Sequence, residues 1–530
     1  MDATQKYLLN ILLEIDAMCK KYDIEYFIDY GTTLGAVRHE GFIPWDDDID
    51  INMTEDNYYK FVEACKKELD PKKRVYGDNR VDRDFPGTFG RFIDVESMRL
   101  SSNFAFWKPI CGQSIDVFYF LELPGDPVKK QEKIDLYFAY DEFANKSYRH
   151  FRYKTDKEME LYNKFKAMEK RIGREKTLQK IEAQLFHQHY DDCDTYVSVS
   201  ARKYGPTSIS PKYLYDSVYY ADFEGHKLPI SGHYAELLNY YYGDDWNIIP
   251  DVKKQHSKMS HTGITCADYV SDYMRLLDEK EIKEERYKAK EILVEEGYRI
   301  GKHLEGVHGK ISKLVRLKLE KKIKEENIDV LSLTDASSKE KMAKLDDLFS
   351  FYYEKQLNPS VRYWENLIDI GNDNFYAAMY NMIYNRNNFT AASKILKVYK
   401  ANGLELDERM QKLWNVVLKA REIKAQMVYK NYDKAEELIK EAVEKYPYSK
   451  EVKLYNMEIN VINKDFDTAK KLIDEIKADN PDNDRCKKAL GDIAFFNGDK
   501  ETADKYYDDV MKNSNNGLLH LDIRKKRGEK

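Results

Sequence analysis

Apolar and polar positions divide the chain into stretches of different period. Residues 3–21 carry apolar side chains interrupted by acids at the spacing of an amphipathic helix. A strand-like run, Tyr26-Phe27-Ile28, is followed by a Gly-rich turn and a second apolar strand near 49–53. Helical spacing returns over 56–69, and strand signals recur at 91–95 and 115–121. Residues 128–190 read as mostly helical and Lys/Glu-rich, and a mixed, Tyr-rich region runs to about 275. Strands separated by helices predict an α/β or α+β domain. Residues 277–327 are charged, helical and free of proline, which predicts a connecting arm. The polar stretch Asp335-Ala336-Ser337-Ser338 predicts a short linker or a helix start.

From roughly 345 to 530 the pattern repeats. Tyr432, Phe466 and Lys500 are each followed three residues later by an alanine, and Ala435, Ala469 and Ala503 stand 34 residues apart. Pro447 and Pro481 show the same interval of 34. A helix–turn–helix unit of that length, with a small residue in its second helix and a proline after it, resembles the tetratricopeptide repeat. The alanine lets paired helices approach closely, and the proline ends the second helix. An earlier unit, Asn388-Phe389 with Ala392, is offset by 43 residues from Ala435, so the array is irregular there. The repeat's Trp and first-helix Tyr are largely absent, and the pattern is tetratricopeptide-like. The expected organisation is a mixed domain over 1–275, a charged helical connector over 276–344 and helical repeats over 345–530.

Composition narrows the class. The 530 residues are 42% hydrophobic and 34% charged, with 42 Tyr and 23 Phe, which excludes disorder as the dominant state. A net charge of −6 excludes a globally basic nucleic-acid binder, and no nucleic-acid partner is expected. No run approaches the ~20 apolar residues of a membrane-spanning helix. The first residues lack a basic start and a cleavage site, so they read as a helix of the fold and not as a signal peptide. Cys19, Cys65, Cys111, Cys193, Cys266 and Cys486 form no C-x-x-C pair. That fits reduced thiols in a cytoplasmic protein and argues against a cysteine zinc site.

One segment carries chemistry. In Trp45-Asp46-Asp47-Asp48-Ile49-Asp50-Ile51, four aspartates fall within five residues, although Asp is depleted in strands and like charges repel. Ile49, Ile51 and Met53 alternate with Asp48, Asp50 and Asn52, the period of a strand. One face enters the core, and the other presents Asp48 and Asp50 about 6.6 Å apart along the strand. Convergence on divalent cations offsets the repulsion, and two ions ~3.5–4 Å apart suit phosphoryl transfer at such an edge. Upstream, Gly31-Thr32 follows a strand and precedes a predicted short helix, Thr33 to Val37. Gly31 permits close backbone approach, while the Thr32 hydroxyl and the helix amides form a phosphate cradle. A strand, Gly-Thr, a helix and Asp-x-Asp on the next strand resemble the nucleotidyltransferase fold, which needs a third carboxylate nearby. Asp116, within the apolar run Ser114-Ile115-Asp116-Val117-Phe118, supplies one. The bland alternative makes the Asp run a solvated turn and Asp116 a paired core acid.

The run from Tyr30 to Asp50, Tyr-Gly-Thr-x-Leu-Gly-Ala-x-Arg-His-x-Gly-Phe-Ile-Pro-Trp-Asp-Asp-Asp-Ile-Asp, resembles the LicD family of bacterial phosphocholine transferases, related to animal fukutin-related protein. A second block is similar to the family's closing pattern: Phe223-Glu224-Gly225, Pro229, Tyr242-Gly243-Asp244-Asp245-Trp246, Pro250 and His256. The resemblance covers about residues 5–260. At Tyr30-Gly31-Thr32-Thr33 this chain departs from the family's usual Gly-Gly-Thr-Leu-Leu. The resemblance implies transfer of a phospho-alcohol, with phosphocholine foremost, from a CDP-activated donor to a hydroxyl of a cell-surface glycan or its lipid-linked precursor, releasing CMP. CDP-ribitol or CDP-glycerol is the alternative donor, and a non-catalytic repeat-based interaction protein is the contrasting class. Asp48, Asp50 and Asp116 are then the catalytic carboxylates and the ligands of Mg²⁺ or Mn²⁺, with Asp116 placed to accept the acceptor's proton.

Phosphate contacts are expected from Gly31, Thr32 and Thr33. Arg38 suits a bidentate phosphate clamp or an ion pair with a nearby Asp. Arg91, in Gly90-Arg91-Phe92-Ile93-Asp94, and His256, beside Lys253 and Lys254, are further phosphate candidates, each with a surface role as the alternative. Residues 311–324 are basic and partly amphipathic, which fits a solvated helix or peripheral contact with the inner face of a membrane. The repeats suit a protein partner, a glycan chain or a structural role.

Overall fold

The computed structural model describes residues 1–85, 87–95, 112–144, 156–199, 209–252, 255, 319–354, 370–401 and 405–529. His256, Lys253, Lys254, Cys111, Cys266, most of the predicted connector and residues 311–318 of the basic stretch lie outside them. The described residues fall into two compact units, one made of residues up to Tyr241 with Asp251, Val252 and Gln255, the other of Tyr242–Pro250 and the residues from 319 onward.

In the first unit, α1 (Ala3–Lys21) starts from a capping box in which Asp2 accepts from Gln5 N and the Gln5 side chain accepts from Asp2 N. After β1 (Phe27–Ile28), α2 (Tyr30–His39) begins earlier than the sequence pattern predicts, because the Asp29 carboxylate caps Tyr30 N at 2.8 Å. Gly31 and Thr32 thereby lie inside the first turn instead of preceding it. Next come β2 (Asp50–Thr54), α3 (Glu55–Glu68), β3 (Arg74–Gly77), β4 (Gly90–Asp94) and β5 (Ser114–Leu123). The region predicted as mostly helical contains α4 (Pro127–Ala144), α5 (Asp156–Ile172) and α6 (Arg174–Leu185). The unit continues with β6 (Thr195–Ser198), β7 (Ile209–Pro211), the hairpin of β8 (Val218–Phe223) and β9 (His226–Ser231), and α7 (Tyr234–Tyr242).

The long strand β5 is the spine of the sheet. One edge pairs in parallel with β2; the other pairs antiparallel with β4 over its first half and with β6 over its second. Strands β1, β3 and β7 extend the sheet from β2, β4 and β6. Ile51 and Met53 of β2 and Ile115, Val117, Tyr119 and Leu121 of β5 are wholly buried, and α1, α3 and α4 pack against β5. Burial of each such side chain contributes about 1.5–3 kcal/mol. Asp50, Asn52, Asp116 and Phe118 occupy the alternate positions and therefore share the opposite face.

The second unit is helical: α8 (Lys339–Glu354), α9 (Asn372–Tyr380), α10 (Phe389–Ala401), α11 (Glu408–Val428), α12 (Tyr432–Lys445), α13 (Lys450–Ile462), α14 (Phe466–Lys477), α15 (Asp484–Phe496), α16 (Lys500–Asn513) and α17 (Gly517–Arg527). The 34-residue period places Tyr432, Phe466 and Lys500 at the starts of α12, α14 and α16, and Ala435, Ala469 and Ala503 are buried where neighbouring helices meet. Gly491 answers the same need on α15, since a Cβ there would stand 2.7 Å from the Tyr507 ring. Side chains of Asp407, Ser449, Asp465, Asn483 and Asp499 cap the helices that follow them.

Residues 243–249 belong to this second unit. Trp246 is buried beneath Lys424 of α11, whose ammonium lies 4.9 Å from the ring centroid. Lys424 Nζ also donates to the Asp244 carbonyl and, at 2.8 Å, to Asn247 Oδ1. Arg421 Nε meets Asp244 Oδ1 at 2.6 Å. Gly517 N donates to Asn247 O at 2.8 Å, and Ile248 forms an antiparallel bridge with Asn516. The two halves of the second sequence block therefore separate: Phe223-Glu224-Gly225 turns a hairpin in the first unit, while Gly243–Trp246 packs in the second.

Candidate active site

The α2 helix and three strands supply the acidic groups and their partners. Asp50 opens β2 and Asp116 lies near the start of β5; they are register partners, so their carboxylates leave the same face from strands roughly 4.8 Å apart. On the other edge of β5, Arg91 of β4 is also in register with Asp116. Its Nε is 3.0 Å from Asp116 Oδ1 and its Nη2 3.2 Å from Oδ2, a two-pronged pair in which both side chains are partly exposed.

Asp46, which the sequence reading left outside the site, sits against the first turn of α2. A Cβ on Gly31 would stand 3.1 Å from Asp46 Oδ2. Asp46 is buried, its backbone carbonyl accepts from Gln5 Nε2 at 2.8 Å, and its carboxyl lies near that of Asp48. Burial pushes the Asp46 carboxyl up to about 8, and the negative charge of Asp48 adds to the rise. Two carboxyls this close hold one net negative charge between them unless a cation is added.

The remaining expected phosphate ligands diverge. Thr32 Oγ1 accepts from Asp50 N at 3.0 Å, tying the first turn of α2 to β2, and its hydroxyl retains a proton to donate. Thr33 is buried and donates instead to Ile28 O at 2.5 Å, so its hydroxyl faces into the fold. Arg38 is buried at the far end of α2, its guanidinium 5.9 Å from the Trp45 ring centroid.

Beneath this surface Asp29 is wholly buried and accepts from Tyr215 OH (2.8 Å), Asn52 Nδ2 (3.0 Å) and Tyr30 N (2.8 Å). Burial pushes its carboxyl up to about 6 despite those donors. Tyr30 holds a left-handed φ of 48°, a conformation that glycine adopts without strain. Its hydroxyl bonds with Ser198 Oγ at 2.7 Å and its ring stacks on Tyr241, which offsets a strain of about 1–2 kcal/mol.

Among the described residues no three His, Cys, Asp or Glu side chains are gathered into a ready metal cage. The carboxylates stand instead as two pairs, Asp46 with Asp48 and Asp50 with Asp116. All are oxygen donors at one end of β2 and β5, a donor set that fits a hard divalent cation such as Mg²⁺ or Mn²⁺.

Residues 23–120 match the family described as LicD/FKTN/FKRP, nucleotidyltransferase domain, and residues 429–493 match the tetratricopeptide repeat. Over 264 residues the chain is 29% identical to the lipopolysaccharide cholinephosphotransferase LicD of Haemophilus influenzae, covering 47% of this chain and 92% of that protein. Shorter matches join it to uncharacterised proteins of Rickettsia typhi (41% identical over 54 residues, 10% of this chain) and Rickettsia prowazekii (42% over 50 residues, 9% of this chain). The chain spans only 18% and 19% of the length of those two proteins.

Proposed function

We propose that this chain, which carries a LicD-type nucleotidyltransferase domain followed by tetratricopeptide-like repeats, transfers a phospho-alcohol from a CDP-activated donor to a hydroxyl of a glycan or its lipid-linked precursor and releases CMP. The observation that carries the reading is the registered trio Asp50–Asp116–Arg91 beside the amino end of α2, within the residues that match the family. Phosphocholine is the favoured group, in keeping with the name of the Haemophilus relative.

Asp48, Asp50 and Asp116 would hold Mg²⁺ or Mn²⁺. Bound there, the cation neutralises the diphosphate and the departing CMP. The chain's own groups do the rest. The amides of Tyr30, Thr32 and Thr33 donate to Asp29, so the Gly31 amide and the Thr32 hydroxyl bind a phosphate oxygen at the amino end of α2, where the helix dipole favours negative charge. Arg91 presents a planar fork that suits a phosphate as well as the Asp116 carboxylate. Asp116 takes the proton of the acceptor hydroxyl as its oxygen bonds to phosphorus and the bond to CMP breaks. No helix among the described residues is long and apolar enough to cross a membrane, and a lipid-linked acceptor would be met from the membrane surface.

The test is a thermal-shift titration of wild type and Asp48→Asn with Mg²⁺ or Mn²⁺ and CDP-choline, CDP-ribitol, CDP-glycerol or CMP. A ligand at ~100 times its Kd stabilises by about 2.7 kcal/mol. One CDP-alcohol should exceed CMP, only with metal and only in wild type, and that compound is the donor. Absence of any nucleotide response under either metal overturns the reading.

A further inference from the structure

The turn between β8 and β9 reaches across the sequence to the loop that leads into the acidic run. Glu224 N donates to Glu40 O at 2.8 Å, and Glu224 Oε1 accepts from Phe42 N at 3.0 Å, so one residue grips the chain on both sides of Gly41. The Phe42 and Phe223 rings meet edge-on beside it, with centroids 4.9 Å apart. Gly41 itself has no spare room. A Cβ there would overlap the Glu224 carboxylate, and a Cβ on Gly35 of α2 would stand 2.5 Å from Gly41 O. The loop is thus pressed between the helix and the Glu224 side chain. Glu40 and Glu224 both take left-handed backbone, with φ of 57° and 51°, which non-glycine residues adopt when surrounding contacts hold them there.

Only three residues separate Phe42 from Asp46, and Asp46 N closes the intervening turn on Ile43 O at 2.9 Å. Movement at Phe42 therefore passes along a short, hydrogen-bonded path to Asp46 and Asp48.

We propose that Glu224 is a positioning residue for the transfer reaction: by holding Phe42 N it fixes the Phe42–Asp46 loop, and with it the placement of Asp46 and Asp48 against the first turn of α2. The inference rests on the reading of Asp48 and Asp50 as the reaction centre. Glu224 acts through reach and not through charge. Glu224→Gln keeps an acceptor oxygen at the same distance and loses the charge. Glu224→Asp keeps the charge, tolerates the left-handed turn and falls one methylene short of Phe42 N.

Three readouts are taken on the full chain: amide exchange over Phe42–Asp48, Mn²⁺ binding measured with the metal alone, and CMP release from the donor. Glu224→Asp should exchange these amides ~10-fold faster, consistent with local opening. It should bind Mn²⁺ more weakly and lose ~10–100-fold in kcat with little change in donor KM, the signature of misplaced reacting groups. Glu224→Gln should match wild type in all three. Equal damage in both variants, or wild-type exchange in Glu224→Asp, overturns the proposal. Amide exchange tests the latch without reference to any nucleotide. A faithful exchange pattern in a chain that turns over no CDP-alcohol therefore refutes the proposed reaction, whereas turnover with a wild-type exchange pattern in Glu224→Asp refutes the latch.

Discussion

Asp50 and Asp116 stand in register on the parallel strands β2 and β5, two carboxylates one strand spacing apart on the same face. Such a pair repels. The two-pronged contact of Arg91 with Asp116, made from the opposite edge of β5, offsets part of that repulsion. The acidic site is therefore built across three strands whose residues are far apart in the chain, and each partner is a separate handle on it.

Asp116→Asn preserves the shape of the side chain and removes the charge that faces both Asp50 and Arg91. CMP release should fall by ~10²–10³, the scale on which loss of a single preorganised electrostatic group acts. The melting temperature should change little, because loss of the pair with Arg91 is offset by relief of the repulsion between Asp116 and Asp50. Undiminished release by this variant would remove Asp116 from the reaction.

Asp29 should make stability depend on pH in a defined window. Its carboxyl titrates near 6 in the folded chain against 3.8 as the ordinary value. Between those values the folded protein keeps a proton that the unfolded chain has released, so this group's contribution to stability declines as pH rises through the window. Its cost is complete above about pH 6. A rise of that size corresponds to about 3 kcal/mol. Asn at position 29 does not titrate, so the stability of Asp29→Asn relative to wild type should climb by about that amount between pH 4 and 7 in urea unfolding. A difference that stays flat with pH would show that Asp29 ionises as it does in water.

In the helical unit, Lys424 gathers residues 243–249 through the Asp244 carbonyl, Asn247 Oδ1 and the Trp246 ring. Burial lowers its ammonium to about 8. Lys424→Met keeps an apolar stem over Trp246 and removes both donated hydrogen bonds, a loss of about 1–3 kcal/mol. The amides of Ile249 and Gly517, which donate to Asn515 O and Asn247 O, should then exchange ~10-fold faster or more, as read by hydrogen exchange. Unchanged exchange at both would show that the segment is held by Arg421 and packing alone.

The 34-residue helical period and the alternation that places Ile51 and Met53 on one face and Asp50 and Asn52 on the other were determined by the sequence itself. These are local or periodic properties, set by side chains a few residues apart, and the structure reproduces them in β2 and in α12, α14 and α16. That Asp116 needs a partner was legible for a related reason, since a charge inside an apolar strand is costly without one. Which partner it has was not. Arg91 and Asp50 reach Asp116 only because β5 takes β2 on one edge and β4 on the other. Asp29 begins α2 at Tyr30 through a side-chain hydrogen bond that helical periodicity does not register, and Thr33 donates its hydroxyl to Ile28 O. Asp46 against Gly31, Glu224 against Phe42 and Lys424 around Trp246 pair residues 15, 182 and 178 positions apart. Contacts at such separations carry no periodic signal, because they depend on how the chain closes its long loops, and only the tertiary structure decides that.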